Sequence, residues 1–187
     1  MDEQAKEQLL DIAQRSVEAV VRSIPSPTID DPHPELQREQ GCFVTLKTRG
    51  ELRGCLGRFT SEQPLWQTVR DMARASATED PRFAGHPITP SELPQLDIEI
   101  SVLSPLEEVA DPLELQPGKH GIYVSKGYAS GCFLPQVAEE MGWDMEEFLS
   151  FCCAHKAGLS PDAWKDPDTK ICAFTAEILH RPPKQSA

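Results

Sequence analysis

The sequence predicts an α+β fold in which a largely antiparallel sheet is flanked by helices. Several strand-like segments follow one another in pairs joined by glycine-containing turns, which is typical of hairpins. Other segments carry apolar residues at helical spacing with charged residues between them. Because the strands are joined by hairpins and not by helical crossovers, we expect about five or six strands and four helices in an α+β arrangement.

The first half of the chain predicts a helix, a hairpin and a second helix. The first helix ends before Pro25, and Pro64 suits the first turn of the second helix. Between the helices, two extended segments flank a turn at Arg49-Gly50, so the return strand carries Cys55. In chain order the elements are a helix over 3–24, a loop over 26–40, strands over 42–48 and 51–59, and a helix over 65–77.

The second half predicts further strands and two more helices. Asp144 followed three residues later by Glu147 predicts a capping box that begins the last helix, which Gly158 ends. The alternating segment Ile171–Leu179 predicts a single last strand. The other elements are strands over 95–103 and 122–125, a turn over 127–131, a strand over 132–134 and a helix over 135–141.

The length, composition and net charge of the chain limit the classes of function that it can have. At 187 residues the chain fits one domain, and its content of 39% hydrophobic and 26% charged residues is typical of a globular protein. The formal net charge of −12 argues against a nucleic-acid binder, because binding phosphates requires a basic surface. The same charge argues against docking on an anionic membrane.

We expect a cytoplasmic protein with free thiols. The N-terminal segment is polar and lacks the apolar core of a secretory signal, and no apolar run is long enough to span a membrane. None of the six cysteines has C-x-x-C spacing, and the chain is too long to depend on disulfides.

The strongest candidate site is Leu52–Arg58, in which Cys55 stands between two glycines and two arginines. Neighbouring guanidinium groups favour a thiolate over a thiol, which is the state that reacts. Glycines on both sides indicate a sharp turn or a close approach of the backbone to a ligand. The alternative is that Cys55 is a buried packing residue at the end of a glycine-containing strand.

Seven short motifs occur along the chain in a fixed order. They are Phe43-Val44-Thr45-Leu46, Leu52-Arg53-Gly54-Cys55-Leu56-Gly57, Asp80-Pro81-Arg82-Phe83, Ile98-Glu99-Ile100-Ser101-Val102-Leu103-Ser104-Pro105, His120-Gly121-Ile122, Leu134-Pro135-Gln136-Val137-Ala138 and Lys156-Ala157-Gly158-Leu159. With these motifs the chain resembles the AMMECR domain family, the "A" protein of the AmmeMemoRadiSam system, over nearly its whole length. The second motif corresponds to the family hallmark Leu-Arg-Gly-Cys-Ile-Gly, with Leu56 in place of the isoleucine.

The resemblance implies a single AMMECR domain over residues 1–187, with an α+β fold in two unequal lobes. The hallmark motif would line the cleft between the lobes, and residues 52–95 would form the smaller lobe. The family's genomic association implies two protein partners, a Memo-like protein and a radical-SAM protein. The chain departs from the family pattern at Gly85-His86, at Ser130-Gly131-Cys132-Phe133 and at Cys152-Cys153-Ala154-His155.

Cys55 and His120 are the candidate catalytic residues. A cysteine nucleophile needs a base or a positive field, which His120 and the flanking arginines would supply. His120 precedes a glycine at the start of a strand, where chemistry-bearing residues are common. The alternative for His120 is that it caps a turn by a hydrogen bond to the backbone.

The candidate ligand-binding residues are Arg53, Gly54, Gly57, Arg82 and Lys156. Arg82 either clamps a carboxylate or phosphate, or pairs with neighbouring Asp80 or Glu79 to brace its loop. Lys156 either complements the end of its helix or reaches the ligand.

We assign no cofactor and no metal. The histidines are scattered, and the i,i+3 pair Cys152 and His155 supplies only two ligands. Two functions fit the residues. The first is an enzyme or binder that acts through Cys55 on a small anionic or carbonyl-bearing molecule. The second is a non-enzymatic adaptor, in which the glycine-containing turn presents backbone N–H groups to an anion.

Overall fold

The computed structural model describes residues 1–183, which form four α-helices and two four-stranded sheets. The α+β fold expected from the sequence is confirmed, with two sheets in place of one. The α-helices are α1 (Glu3–Val21), α2 (Leu65–Thr78), α3 (Pro135–Met141) and α4 (Met145–Phe151). The strands are β1 (Cys42–Thr48), β2 (Glu51–Arg58), β3 (Leu96–Leu103), β4 (Glu107–Glu108), β5 (Gly121–Lys126), β6 (Ala129–Phe133), β7 (Lys170–Phe174) and β8 (Ala176–Arg181).

The chain divides into two compact units, each with its own hydrophobic core. The first comprises Met1–Val102 together with the segment from Glu177 onward, and the second comprises Leu103–Ala176. Residues 52–95 lie entirely within the first unit.

The first unit packs helices on the sheet β2-β1-β3-β8. The Asp2 side chain caps α1 by accepting a hydrogen bond from the N–H of Ala5 at 2.8 Å. Helix α1 ends at Val21, three residues before its expected end, because Ser23 adopts a positive φ of 55°. Helix α2 packs against β1 and β2, and α1 packs against α2.

The second unit is built on the sheet β4-β7-β5-β6. Asp144 and Glu147 form the expected capping box at the start of α4. The segment after α4, Cys152–Ala157, is a π-helix that ends at Gly158 in the left-handed region. The π-helix was not expected from the sequence, because no residue type in this short segment distinguishes a π-helical turn from continued α-helix.

Two strand predictions require correction. The turn between β5 and β6 is only Gly127-Tyr128, since Ala129 already pairs with Lys126. The expected strand Ile171–Leu179 is two strands, β7 and β8, which belong to different sheets. The two strands separate at Thr175, whose N–H and C=O both bond to Ser104 at 2.9 Å.

None of the helices within residues 1–183 combines the length and apolar character needed to cross a membrane.

Candidate functional site

A β-bulge at Arg53 decides which way Cys55 faces. The turn pairs Thr48 with Glu51, but the register shifts so that Leu46 pairs with Gly54 and Arg53 is left over. A regular hairpin would place Cys55 opposite the fully buried Val44. Because of the extra residue, Cys55 lies opposite Thr45 on the half-buried face of the strand.

The backbone and sulfur of Cys55 are held by three neighbours. Thr45 Oγ1 donates to Cys55 Sγ at 3.2 Å, and the N–H of Cys55 donates to Asp80 Oδ2 at 2.9 Å. A guanidinium nitrogen of Arg82 donates to the Cys55 carbonyl oxygen at 3.2 Å. The thiol is therefore partly exposed beside a hydroxyl donor, in a residue whose backbone is held on both sides by Asp80 and Arg82.

Asp80 organises this site. Its carboxylate accepts the Arg82 Nε at 2.9 Å, a terminal Arg82 nitrogen at 2.6 Å and the Arg82 backbone N–H at 3.1 Å. These bonds, foremost those to the Arg82 side chain, lower the pKa of Asp80 from its usual 3.8 to about 2, although burial opposes the change. The pKa of Arg82 is raised, first by Asp80 and to a smaller extent by the Cys55 side chain nearby. The Arg82 side chain is still 56% exposed, so its guanidinium can meet a ligand.

The glycines of the hallmark motif meet packing requirements. A Cβ on Gly54 would overlap the Ser76 carbonyl oxygen and lie 2.8 Å from the Ser76 carbonyl carbon. A Cβ on Gly57 would overlap the Phe43 ring and the Cys42 carbonyl oxygen. Both glycines therefore allow β2 to lie close to α2 and β1.

The backbone N–H groups beside Gly54 already have acceptors. Asp80 accepts from the N–H of Cys55, and Ser76 Oγ accepts from the N–H of Leu56 at 2.9 Å. Ser76 Oγ in turn donates to the Val44 carbonyl oxygen at 2.8 Å. An anion bound at these N–H groups would have to displace Asp80 and Ser76.

The structure turns Arg53 toward the loop that precedes β3. Its guanidinium forms an ion pair with Glu92 and donates to the carbonyl oxygens of His86 and Pro87, at 2.9 and 3.3 Å. These bonds brace the loop, and the Arg53 charge is largely neutralised by Glu92.

The other five cysteines are poorly placed for thiolate chemistry. Burial raises the pKa of Cys42 to about 12 and that of Cys132 to about 11. Burial also raises the pKa values of Cys152, Cys153 and Cys172. Arg58 pairs with Cys42 in the hairpin, and its positive charge lowers the pKa of Cys42. The effect of burial on that pKa is larger and in the opposite direction.

His120 lies in the second unit, at a turn. Its Nδ1 accepts a hydrogen bond from the N–H of Gln116 at 3.0 Å, as in the turn-capping interpretation. With Nδ1 as the acceptor, the hydrogen of the neutral ring lies on Nε2. His120 also lines a surface cavity of about 460 Å³ together with Leu115 and Phe174.

Lys156 lies in the last turn of the π-helix, also in the second unit. Its amine stands 5.4 Å from the centroid of the Phe133 ring, a cation–π contact, and the residue is exposed. Its charge lowers the pKa values of Cys132 and Cys152, against the larger effect of burial.

The Cys152 and His155 pair does not converge on a common point. Cys152 is fully buried, whereas His155 is exposed and stacks on Phe151 with ring centroids 5.6 Å apart. Within the described part of the chain, no three His, Cys, Asp or Glu side chains cluster as a metal site requires.

The structure thus groups Gly54, Cys55 and Arg82 around Asp80, and turns Arg53 away to Glu92. Sequence reasoning missed Thr45 and Ser76 as neighbours of the hallmark motif. Counting back from the hairpin turn in regular register predicts that Thr45 pairs with Gly54. Thr45 pairs with Cys55 instead because of the bulge, which no residue type signals. Ser76 could have been suspected because it is, with Thr68, one of two polar residues on the mainly apolar buried face of α2.

Comparison with known proteins identifies the family. The family model AMMECR1 matches residues 10–179. The chain is 42% identical to a protein of Methanothermobacter thermautotrophicus over 179 residues, 92% of each chain. It is 45% identical to a protein of Thermococcus gammatolerans over 183 residues, covering 91% of this chain and 87% of the relative.

A solved structure shows the same fold. The crystal structure of the uncharacterized protein PH0010 from Pyrococcus horikoshii matches with a TM-score of 0.88 at 39% identity. The match covers 100% of this chain and 96% of that chain. The fold, the order of the motifs and the extent of similarity place the chain in one class of α+β domains. The chain belongs to the AMMECR1 family.

Proposed function

We propose that this protein binds a small anionic or carbonyl-bearing molecule beside Cys55 and acts on it through the thiol. The observation that carries the proposal is the position of Cys55: its sulfur accepts a hydrogen bond from Thr45, and the exposed guanidinium of Arg82 donates to its carbonyl oxygen. A hydroxyl donor and a guanidinium both stabilise negative charge, whether on sulfur or on a bound carboxylate.

The supported reaction step is addition of sulfur to a carbonyl carbon. The thiol loses its proton to a base, a C–S bond forms, and the π-electron pair of the carbonyl moves onto oxygen. Arg82 would donate a hydrogen bond to that oxygen or to a neighbouring carboxylate. The role of His120 as a base stays a prediction from the sequence; in the structure its Nδ1 is bonded to the N–H of Gln116.

The first experiment measures thiol reactivity. We expect iodoacetamide to label Cys55 in the native protein faster than the other five cysteines, whose pKa values are raised by burial. Peptide mass spectrometry measures each rate. Thr45→Val should slow the labelling of Cys55, whereas Thr78→Val, which loses only a bond to the Arg74 carbonyl oxygen, should not. Equal rates for Cys55, Cys42 and Cys172 would remove the thiol from the proposal.

The second experiment measures ligand binding by thermal shift. The probes are pyruvate, glyoxylate, acetaldehyde, acetate and inorganic phosphate, because a ligand that binds the native state raises the Tm. We expect a carbonyl-bearing carboxylate to raise the Tm, and Cys55→Ala or Arg82→Gln to abolish the rise. Cys172→Ser serves as the control and should keep it. A rise that survives Cys55→Ala would place binding elsewhere.

A second candidate function is an adaptor for a Memo-like or a radical-SAM protein. One observation favours it: Tyr128, at the tip of the β5–β6 hairpin, is fully exposed, and an exposed tyrosine suits a protein interface. The packing roles of Gly54 and Gly57 also explain the hallmark motif without chemistry. A pull-down with the two partner types should then be weakened by Tyr128→Ser and not by Cys55→Ala. No capture of either partner would exclude the adaptor.

A further inference from the structure

A buried serine of α2 bridges the two strands of the hairpin that carries the hallmark motif. Ser76 is 1% exposed, and its hydroxyl accepts a hydrogen bond from the N–H of Leu56 at 2.9 Å. The same hydroxyl donates to the carbonyl oxygen of Val44 at 2.8 Å. Val44 and Leu56 are direct partners in the β1–β2 pairing. Because Gly54 has no side chain, α2 comes close enough to β2 for this contact. One side chain of a helix therefore joins both members of a backbone pair.

The next pair along the hairpin is Thr45 and Cys55, whose side chains lie on the half-buried face. The N–H and the carbonyl oxygen of Cys55 are bonded to Asp80 and Arg82, and not to β1. Thr45 and Cys55 are thus a non-hydrogen-bonded pair, the kind in which opposite side chains approach most closely. That approach lets the Thr45 hydroxyl donate to Cys55 Sγ at 3.2 Å. The contact therefore depends on the register of β1 and β2.

The Ser76 bridge can form in one register only. It requires Leu56 opposite Val44, whereas a hairpin without the bulge would place Cys55 there. A shift of one residue moves every side chain of a strand to the other face of the sheet. Leu56 also packs against the core of the first unit, which favours the observed register. The bridge adds a polar contact that is specific to the same register, one residue from the thiol.

We propose that Ser76 is a positioning residue for the Cys55 thiol. Its hydroxyl holds β1 and β2 in the register and spacing that bring the Cys55 sulfur to the Thr45 hydroxyl. Ser76 is bonded to the backbone beside the site, so its effect on the sulfur passes through the strands. The alternative role is purely structural, to pair two backbone groups. The consequence for chemistry rests on the proposed function of Cys55, whereas the geometry can be tested alone.

A cross-link measures the geometry. Thr45→Cys places a second thiol opposite Cys55, at the separation that a disulfide requires. The oxidant diamide takes up the two electrons and the two thiol protons as the S–S bond forms. We expect Ser76→Ala to slow this cross-link about fivefold, the factor that one typical hydrogen bond represents. Peptide mass spectrometry with fragmentation identifies the linked residues.

Ser16→Ala is the matched control. Ser16 is also a fully buried serine of a helix, but its hydroxyl donates to the Ile12 carbonyl oxygen of its own helix at 2.6 Å. Each variant loses one buried hydroxyl, so a difference between them reflects where the hydroxyl lies and not the loss of stability alone. Ser16→Ala should leave the cross-linking rate of Thr45→Cys unchanged.

A conservative variant tests the hydroxyl itself. Ser76→Thr keeps the hydroxyl and should restore the cross-linking rate. If Ser76→Ala does not fold, Ser76→Cys takes its place, because a thiol is only a weak donor and acceptor.

Iodoacetamide labelling of Cys55 connects the geometry to the thiol function. Ser76→Ala should slow this labelling about as much as it slows the cross-link, whereas Ser16→Ala should not slow it. Slow labelling of Cys55 in the unaltered chain would overturn the thiol function, and the cross-link would still decide the role of Ser76.

Three outcomes would overturn the role of Ser76. The first is that Ser76→Ala and Ser16→Ala cross-link at equal rates. The second is that Ser76→Thr is as slow as Ser76→Ala. The third is fast labelling of Cys55 in the unaltered chain that Ser76→Ala leaves unchanged.

Discussion

A single buried carboxylate, Asp80, connects the hallmark strand to the loop that carries Arg82. It is only 4% exposed, and it bonds the N–H of Cys55 and the guanidinium of Arg82 at once. A buried charge is tolerated only when it is paired and fully hydrogen-bonded, and Asp80 meets both conditions. The position of the Cys55 backbone therefore depends on an ionised Asp80.

Asp80→Asn tests this dependence. Since one pKa unit corresponds to about 1.4 kcal/mol, lowering the pKa from 3.8 to about 2 is worth about 2 kcal/mol of stability at neutral pH. We expect the variant to lose roughly that amount in urea denaturation at pH 7. Asp162→Asn, which removes an exposed partner of Lys165, should change the stability by less than about 1 kcal/mol. Equal losses would contradict the role given to Asp80.

The same pair predicts a dependence on pH. Because the folded-state pKa of Asp80 is lowered, its contribution is fully present above about pH 4 and is lost as the pH falls toward about 2. The stability difference between the native sequence and Asp80→Asn should therefore shrink across that range. Urea denaturation curves at several pH values measure it, and a constant difference would show that ionisation of Asp80 is not involved.

At the scale of elements, the close approach of β2 to α2 depends on Gly54. Any side chain there would push the strand away from Ser76, and both residues are buried. Overpacking of this kind typically costs about 1–3 kcal/mol. The hallmark strand is thus fixed from one side by a helix and from the other by β1.

Gly54→Ala should destabilise the protein by about 1–3 kcal/mol, because the added methyl overlaps the Ser76 carbonyl group. Gly85→Ala is the matched control, since a Cβ at Gly85 meets no atom within 4 Å and its φ is not positive. Thermal and urea unfolding of the two variants measure the difference. A Gly54→Ala protein as stable as Gly85→Ala would mean that β2 is free to move.

Local signals predicted most elements, whereas departures from regular geometry escaped prediction. The capping box at Asp144 and the turn at Arg49-Gly50 depend on neighbouring residue types, and both are present. The bulge at Arg53 and the π-helix after α4 have no counterpart in the spacing or type of neighbouring residues, so no local pattern predicts them. The same limit applies to the site, because the hydrogen bond from Thr45 to Cys55 exists only in the shifted register.

At the scale of the whole molecule, the six cysteines are all free thiols, but they differ in their surroundings. Five have pKa values raised by burial and should react slowly in the native state. We expect Ellman's reagent to find one fast thiol in the native protein and six in denaturant. In Cys55→Ala the fast phase should disappear, and more than one fast thiol in the native protein would contradict the structure.

The division of the alternating C-terminal segment at Thr175 has a consequence for biosynthesis. The sheet of the first unit gains its fourth strand, β8, only after the second unit has been translated. At a ribosomal rate of 5–20 residues per second, Leu103–Ala176 takes about 4–15 s to synthesise. Throughout that interval β3 is an open edge, a site where unfinished chains can pair with each other. The sheet of the first unit is therefore completed only when β8, which follows the entire second unit in the chain, has been synthesised.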